Sequence, residues 1–150
     1  MKFKFVWIGK TKDPNWKALQ DEYMQRLSHF VKCEITELKD STGNESKEIE
    51  SKRILEILNP KTFAVLLDVK GKAISSHGLS DLISNWQDRG VKEITFIIGG
   101  ANGVSEEIRG KADYLLSLSF LTFTHEMARV VLLEQLYRGY SIIKGFPYQK

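Results

Sequence analysis

Residues 93–126 read EITFIIGGANGVSEEIRGKADYLLSLSFLTFTHE, and this stretch decides the fold. Its first apolar run, Ile94, Phe96, Ile97 and Ile98, enters a turn containing Gly99, Gly100 and Gly103, and a strand that ends in glycines offers bare backbone to a ligand. Its second run starts at Tyr114 and ends in Ser119, Phe120, Leu121, Thr122, Phe123 and Thr124, a polar and aromatic loop ahead of a long apolar helix. Two loops at the carboxyl ends of two strands are where open α/β sheets hold their ligands.

Outward from there the same alternation repeats. Residues 3–8, FKFVWI, predict a strand that ends buried and is closed by Gly9. Asp13 and Pro14 predict a helix start, with Trp16, Leu19, Tyr23, Leu27 and Phe30 following at helical spacing. Cys33, Ile35 and Leu38 predict a half-exposed strand suited to a sheet edge. After a polar internal loop over 39–47, a helix over 45–58 is expected to gather Ile49, Ile54, Leu55 and Leu58 on one side. FAVLL at 63–67 is the pattern of a strand covered on both faces, with Asp68, Lys70, Gly71 and Lys72 as its exit loop. Ser76 or Ser80 is the expected cap of the next helix, which carries Leu79, Leu82, Ile83 and Trp86 and stops at Gly90. Ser105 opens a short helix, and Thr124 caps the last one, from about His125 to Ile143. This alternation predicts a single domain over 1–150 of the α/β class, a mostly parallel sheet with helices on both faces. The last helix is apolar around most of its circumference, so a second subunit is expected to cover what its own sheet does not; the alternative, a central helix covered entirely by its own chain, is disfavoured because a terminal helix usually packs at the periphery.

One cysteine in 150 residues and no secretory leader predict a soluble cytoplasmic protein without an internal disulfide. The apolar runs fall short of the roughly 18 residues a membrane span needs. Net charge is +3, with Lys2, Lys4, Lys10 and Lys12 unopposed in the first twelve residues and Lys144 and Lys150 in the tail. A surplus this small does not by itself indicate a nucleic-acid partner. His29, His77 and His125 lie far apart without metal-ligand spacing, so no metal site is expected. Gly99-Gly100-x-x-Gly103 is neither a P-loop, a nucleophile elbow nor a dinucleotide fingerprint, and alone it is as much a tight turn as a site.

The combination of motifs says more. I-G-G-x-x-G at 98–103, L-S-L-S-x-x-T at 116–122, R-V-x-L-x-E-Q-L-Y-R at 129–138, and Pro147, Tyr148 and the basic Lys150 at the tail stand in one chain. Together they closely resemble the ribosomal large-subunit methyltransferase H family of the SPOUT methyltransferases, over essentially the whole chain. The resemblance implies a carboxyl-terminal trefoil knot, a homodimer with its site at the interface, S-adenosyl-L-methionine as methyl donor, and methylation of N3 of a pseudouridine in large-subunit (23S) ribosomal RNA in the assembled ribosome. No membrane or DNA partner is expected. The donor-binding positions it carries over are Leu67, Gly100 and the loop Ser119, Phe120, Leu121, Thr122, Phe123 and Thr124. At the RNA side it points to the basic and aromatic tail, here Arg138, Tyr148 and Lys150, with Arg129 beside them. Thr124 and Gln149 stand where the family has proline and histidine, and Asn102 stands where an acidic residue is common.

The residues fit that chemistry. Phe120, Leu121 and Phe123 can flank a flat, largely apolar adenine while loop backbone reads its edges. Methyl transfer to an imide nitrogen requires alignment and the loss of one proton, and His125, at a helix amino terminus, is the candidate base, the alternative being a structural histidine of the cap region. The ion-pair alternative for Arg129 and Arg138 is a link to Glu126 or Glu134 about a turn away. Two other functions compete: a nucleotide-dependent α/β oxidoreductase, disfavoured by the missing fingerprint, and a non-catalytic ribosome-binding protein, which the glycine loop does not call for.

Overall fold

The computed structural model describes residues 1–148. Ten elements follow in strict alternation: β1 (Lys2–Ile8), α1 (Pro14–Ser28), β2 (Lys32–Leu38), α2 (Ser46–Ile57), β3 (Phe63–Ala73), α3 (Ser76–Asp88), β4 (Glu93–Ile98), α4 (Glu106–Lys111), β5 (Tyr114–Ser117) and α5 (His125–Lys144). All strand pairings are parallel, in the order β2-β1-β4-β3-β5. The half-exposed β2 is an edge, as its mixed composition predicts, and the fully apolar β4 is interior.

The pleat sorts the apolar residues into two cores. Phe3, Phe5 and Trp7 of β1, with Phe96 and Ile98 of β4, face α1, α3 and α5; the Phe5 and Phe96 rings stack at 5.4 Å. Val6, Ile8, Leu66 and Ile97 face the other way, toward Ile54 of α2 and Ile108 of α4. Local chemistry starts the helices where expected at three points. Asp13 accepts from the Asn15 amide with Pro14 as first helical residue, Ser105 accepts from the Ile108 amide, and Thr124 accepts from the Met127 amide. The last helix ends on Gly145, which takes the left-handed conformation with φ 69°.

Five expectations need correction. The cap of α3 is Ser75, which accepts from Gly78 N; Ser76 is already helical and donates to Gln135, and Ser80 is buried. The polar run after Leu67 is not an exit loop, because β3 continues to Ala73 and pairs again with β5. On α1, Leu19 is exposed and Gln20 is buried, because Gln20 Oε1 accepts the Thr11 hydroxyl at 2.6 Å. On α2 the buried side is Ser46, Glu50, Ser51 and Ile54, with Ile49 and Ile57 exposed. That polar side binds neighbouring loops: Ser51 Oγ accepts from Ser105 N at 2.9 Å, Ser46 Oγ from Asn102 Nδ2 at 2.7 Å, and Glu50 Oε2 from Ser41 N at 2.9 Å. Finally, α5 is central. It packs between α1 and α3, close enough that a Cβ on Gly139 would lie 2.9 Å from Ile83 Cδ1, so its own chain covers most of the apolar surface expected to meet a second subunit.

Two of the four lysines of the basic amino end are ion-paired: Lys2 Nζ lies 2.8 Å from Glu34, and Lys4 Nζ lies 3.7 Å from Glu34 and 3.3 Å from Glu93. Among the described residues no helix is long and apolar enough to cross a membrane.

Candidate functional site

The carboxyl ends of β3, β4 and β5 meet the first turn of α5 around one open cavity of about 240 Å³. The glycine loop forms its floor. After Ile98 the chain turns back through a hydrogen bond from Gly103 N to Gly100 O at 3.0 Å, with Gly103 at φ 78°. Gly99 and Gly100 both face close packing behind them. A Cβ on Gly99 would lie 2.7 Å from Val104 Cγ1, and one on Gly100 would lie 2.5 Å from Glu50 Oε1. At Gly100 the missing side chain leaves room for the buried Glu50 carboxylate of α2 against the loop.

The wall opposite is the exit of β5. Ser117 Oγ donates to Ser119 O, and Ser119 Oγ accepts from Leu121 N, both at 3.0 Å, so the loop is folded by its own serines. Ser119, Leu121, Thr122 and Phe123 line the cavity, together with Leu66, Leu67, Leu116 and Leu118. Two expected donor contacts do not line it. Phe120 is 77% exposed beside it, and Thr124 is engaged as the helix cap.

The third wall carries no sequence motif. Leu67 and Lys72 both lie opposite Leu116, so residues 68–71 are looped out of the β3–β5 ladder at the cavity edge. Asp68 and Val69 of this excursion line the cavity, as does Arg109 of α4, and the Asp68 carboxylate is ion-paired with the Arg109 guanidinium. Such a bulge rests on pairing between distant strands, and the pair joins residues 41 apart in sequence, which is why neither is legible locally.

His125 sits on the cavity at the start of α5. Partial burial, and then the neighbouring Arg129 charge, hold its pKa below the ordinary histidine value, while Glu50 acts weakly the other way. Arg129 does not face an RNA surface. It is 2% exposed, donates to Thr11 Oγ1 at 2.9 Å and Ile8 O at 2.6 Å, and lies over the Trp7 ring at 4.9 Å. Nor does it pair with Glu126, whose carboxylate instead accepts from the backbone of Lys12 and Asp13 at 2.7 and 2.9 Å. These contacts fasten the loop between β1 and α1 to the start of α5.

Arg138, thirteen residues and so about 20 Å of helix rise beyond His125, forms a second cluster with Tyr148. Glu134 is its hub, accepting from Arg138 Nε at 2.9 Å and Nη2 at 2.6 Å and from the Tyr148 hydroxyl at 3.1 Å. Arg138 lies over the Tyr148 ring at 4.9 Å, and the Tyr148 hydroxyl is 3.3 Å from that of Tyr23. Burial first, and then the Tyr23 and Glu134 contacts, push the Tyr148 pKa up. Lys150 lies outside the described residues. Among those residues no group of His, Cys, Asp and Glu is placed to hold a metal ion.

Comparison with known proteins matches residues 1–149 to a family described as "Predicted SPOUT methyltransferase". The chain is 41% identical to ribosomal RNA large subunit methyltransferase H of Halothermothrix orenii, with all of both chains covered. It is 40% identical to the protein of that name from Geotalea daltonii, with 99% of each covered, and 40% identical to that of Clostridioides difficile, with all of both covered. The fold is shared with a probable methylase family protein from Haemophilus influenzae, at TM-score 0.60 and 10% identity, covering 99% of this chain and 70% of that one.

Proposed function

This chain belongs to the SPOUT methyltransferases, in the family of ribosomal RNA large subunit methyltransferase H, and on that premise we propose that it methylates N3 of a pseudouridine in large-subunit ribosomal RNA of the assembled ribosome. The family assignment sets aside the oxidoreductase and the non-catalytic binder. The observation that carries the reading is the cavity itself, in which both sequence-flagged loops converge with a histidine at its edge.

S-adenosylmethionine, when bound, supplies a methyl group on a positively charged sulfur. The cavity suits it: Leu66, Leu67, Leu116 and Phe123 offer apolar walls to adenine, and the glycine and serine loops offer backbone groups to its edges. Leu67, Gly100, Ser119, Leu121, Thr122 and Phe123 hold the donor in this reading, while Phe120 and Thr124 shape the loop. His125, held neutral near pH 7, takes the imide proton as the new N–C bond forms. Arg138, Tyr148 and Lys150 meet the acceptor RNA.

Because His125 and Arg138 are about 20 Å apart on one helix, the acceptor cluster reaches the cavity from a second copy of the chain. Apolar side chains exposed near both places, Phe120, Leu121 and Val69 at the cavity and Phe146 near the tail, support such a homodimer. A trefoil knot in the carboxyl-terminal part and a cytoplasmic location complete the proposal.

The test is incubation with labelled S-adenosylmethionine and ribosomes that carry or lack the pseudouridine. Label should enter large-subunit RNA only when the pseudouridine is present. Absence of transfer, together with absence of donor binding by calorimetry, would overturn the reading.

A further inference from the structure

The cavity contains one cation and one carboxylate among its described lining residues, Arg109 and Asp68, and they are paired. Asp68 is fully engaged. One oxygen accepts from Lys70 N at 2.9 Å, the other from Arg109 Nη1, and its side chain is only 9% exposed. Arg109 is different. Its side chain is 34% exposed, Nε lies 3.8 Å from Glu106, whose own side chain is 93% exposed, and Nη2 has no partner among the described residues. A guanidinium anchored through one nitrogen, with a second nitrogen free on a cavity wall, is prepared to take a planar anion in two hydrogen bonds.

On the donor reading above, the ligand has an apolar adenosine half and an amino-acid half that ends in a carboxylate. The leucine and phenylalanine walls suit the first half; the second needs a cation, and the cavity offers Arg109. We propose that Arg109, aimed by Asp68, binds the carboxylate at the amino-acid end of the methyl donor. Asp68 is then a positioning residue: it fixes the guanidinium across the cavity mouth and does not touch the ligand's anion, which it would repel. The bulge at 68–71 acquires a purpose, because it carries Asp68 out of the ladder to where α4 can reach it.

Two ligands separate this from a structural tie between α4 and β3. S-adenosylhomocysteine has the amino-acid end; 5′-methylthioadenosine is the same adenosine thioether without it. In calorimetry, Arg109→Gln should weaken S-adenosylhomocysteine binding at least about tenfold, the scale of a lost charge-assisted hydrogen bond, and leave methylthioadenosine binding unchanged. Arg109→Lys, which keeps the charge but loses the fork, should fall between. Unchanged binding of both ligands to Arg109→Gln, or equal loss of both in variants that melt like the wild type, would overturn the assignment. Wild-type protein that binds neither ligand would overturn the donor reading itself, and that is seen before any variant is made.

Discussion

Gly71→Ala is the sharpest test of the wall that carries Asp68. A Cβ at residue 71 would lie 2.7 Å from the carbonyl oxygen of Leu115, 2.8 Å from its carbonyl carbon and 3.0 Å from Asp68 O. All three are backbone atoms, so no side-chain rotation relieves the clash; β3 and β5 must separate or the bulge must unfold. Overpacking of this kind costs about 1–3 kcal/mol, and because the strain falls on a ladder the upper half of that range applies, about 2–3 kcal/mol. In a chain of this size each kcal/mol shifts the melting temperature by about 2–4 °C, so Gly71→Ala should melt roughly 5–10 °C below the wild type and bind S-adenosylhomocysteine more weakly. Gly110→Ala is the control, since its Cβ would meet nothing within 4 Å and it lies in α4; it should be neutral or up to about 1 kcal/mol more stable. Thermal and urea unfolding read both. A Gly71→Ala protein that melts within a degree or two of the wild type, or of the Gly110→Ala control, would refute the close strand contact.

Three other perturbations follow from the contacts around α5. The folded pKa of His125 lies below its unfolded value of about 6.5, so the unfolded chain binds more protons in the interval between the two. The stability this contributes is present above about pH 6.5 and is lost as pH falls toward the folded value; His125→Gln should flatten that part of the curve of melting temperature against pH. Arg129→Met should raise the His125 pKa, read by proton NMR titration, and should cost about 2–4 kcal/mol in urea because Ile8 O and Thr11 lose a buried donor. Glu134→Gln loosens Arg138 and Tyr148 together; it should lower RNA methylation about tenfold while leaving S-adenosylhomocysteine binding unchanged. A parallel fall in donor binding would contradict the separation of the two clusters.

What was legible in the sequence is what a few neighbouring residues settle by themselves. Asp13 with Pro14, Ser105 with two following glutamates, and Thr124 each carry a capping side chain in the right local order, and β1 and β4 carry period-two or continuous apolar runs. Both loops of the site were legible for the same reason: glycine and serine there act on their own backbone. Where several residues could play one part, tertiary geometry chose. Ser75, Ser76 and Ser80 are all chemically competent caps, and only Ser75 has the extended backbone that closes the helix. Asp68-Val69-Lys70-Gly71 has the composition of a loop and lies inside a strand because β5 pairs on both sides of it. Glu50 reads as one of many solvated glutamates on a charged helix, yet it is 5% exposed because the bare glycines of a distant loop admit it. The apolar circumference of α5 pointed to a helix covered beyond its own sheet, and the cover is α1 and α3 where a second subunit was expected.

That correction changes the case for a second subunit and supplies a stricter test of it. With α5 covered by its own chain, the proposed homodimer rests on function alone: Arg138 stands about 20 Å along the helix from His125, a spacing that favours one base being met by two copies. In a two-fold dimer each site then takes its cavity from one copy and its cluster from the other. His125→Ala and Arg138→Ala should each abolish turnover alone. Mixed in equal amounts and allowed to exchange subunits, half the dimers are hybrids, and each hybrid pairs one intact cavity with one intact cluster at one of its two sites. Activity should therefore return to about a quarter of the wild-type value, the statistical figure for random two-fold pairing. If the two clusters acted within a single copy, every hybrid site would carry a defect and mixing would restore nothing. That outcome would refute the shared site even if sedimentation showed a dimer.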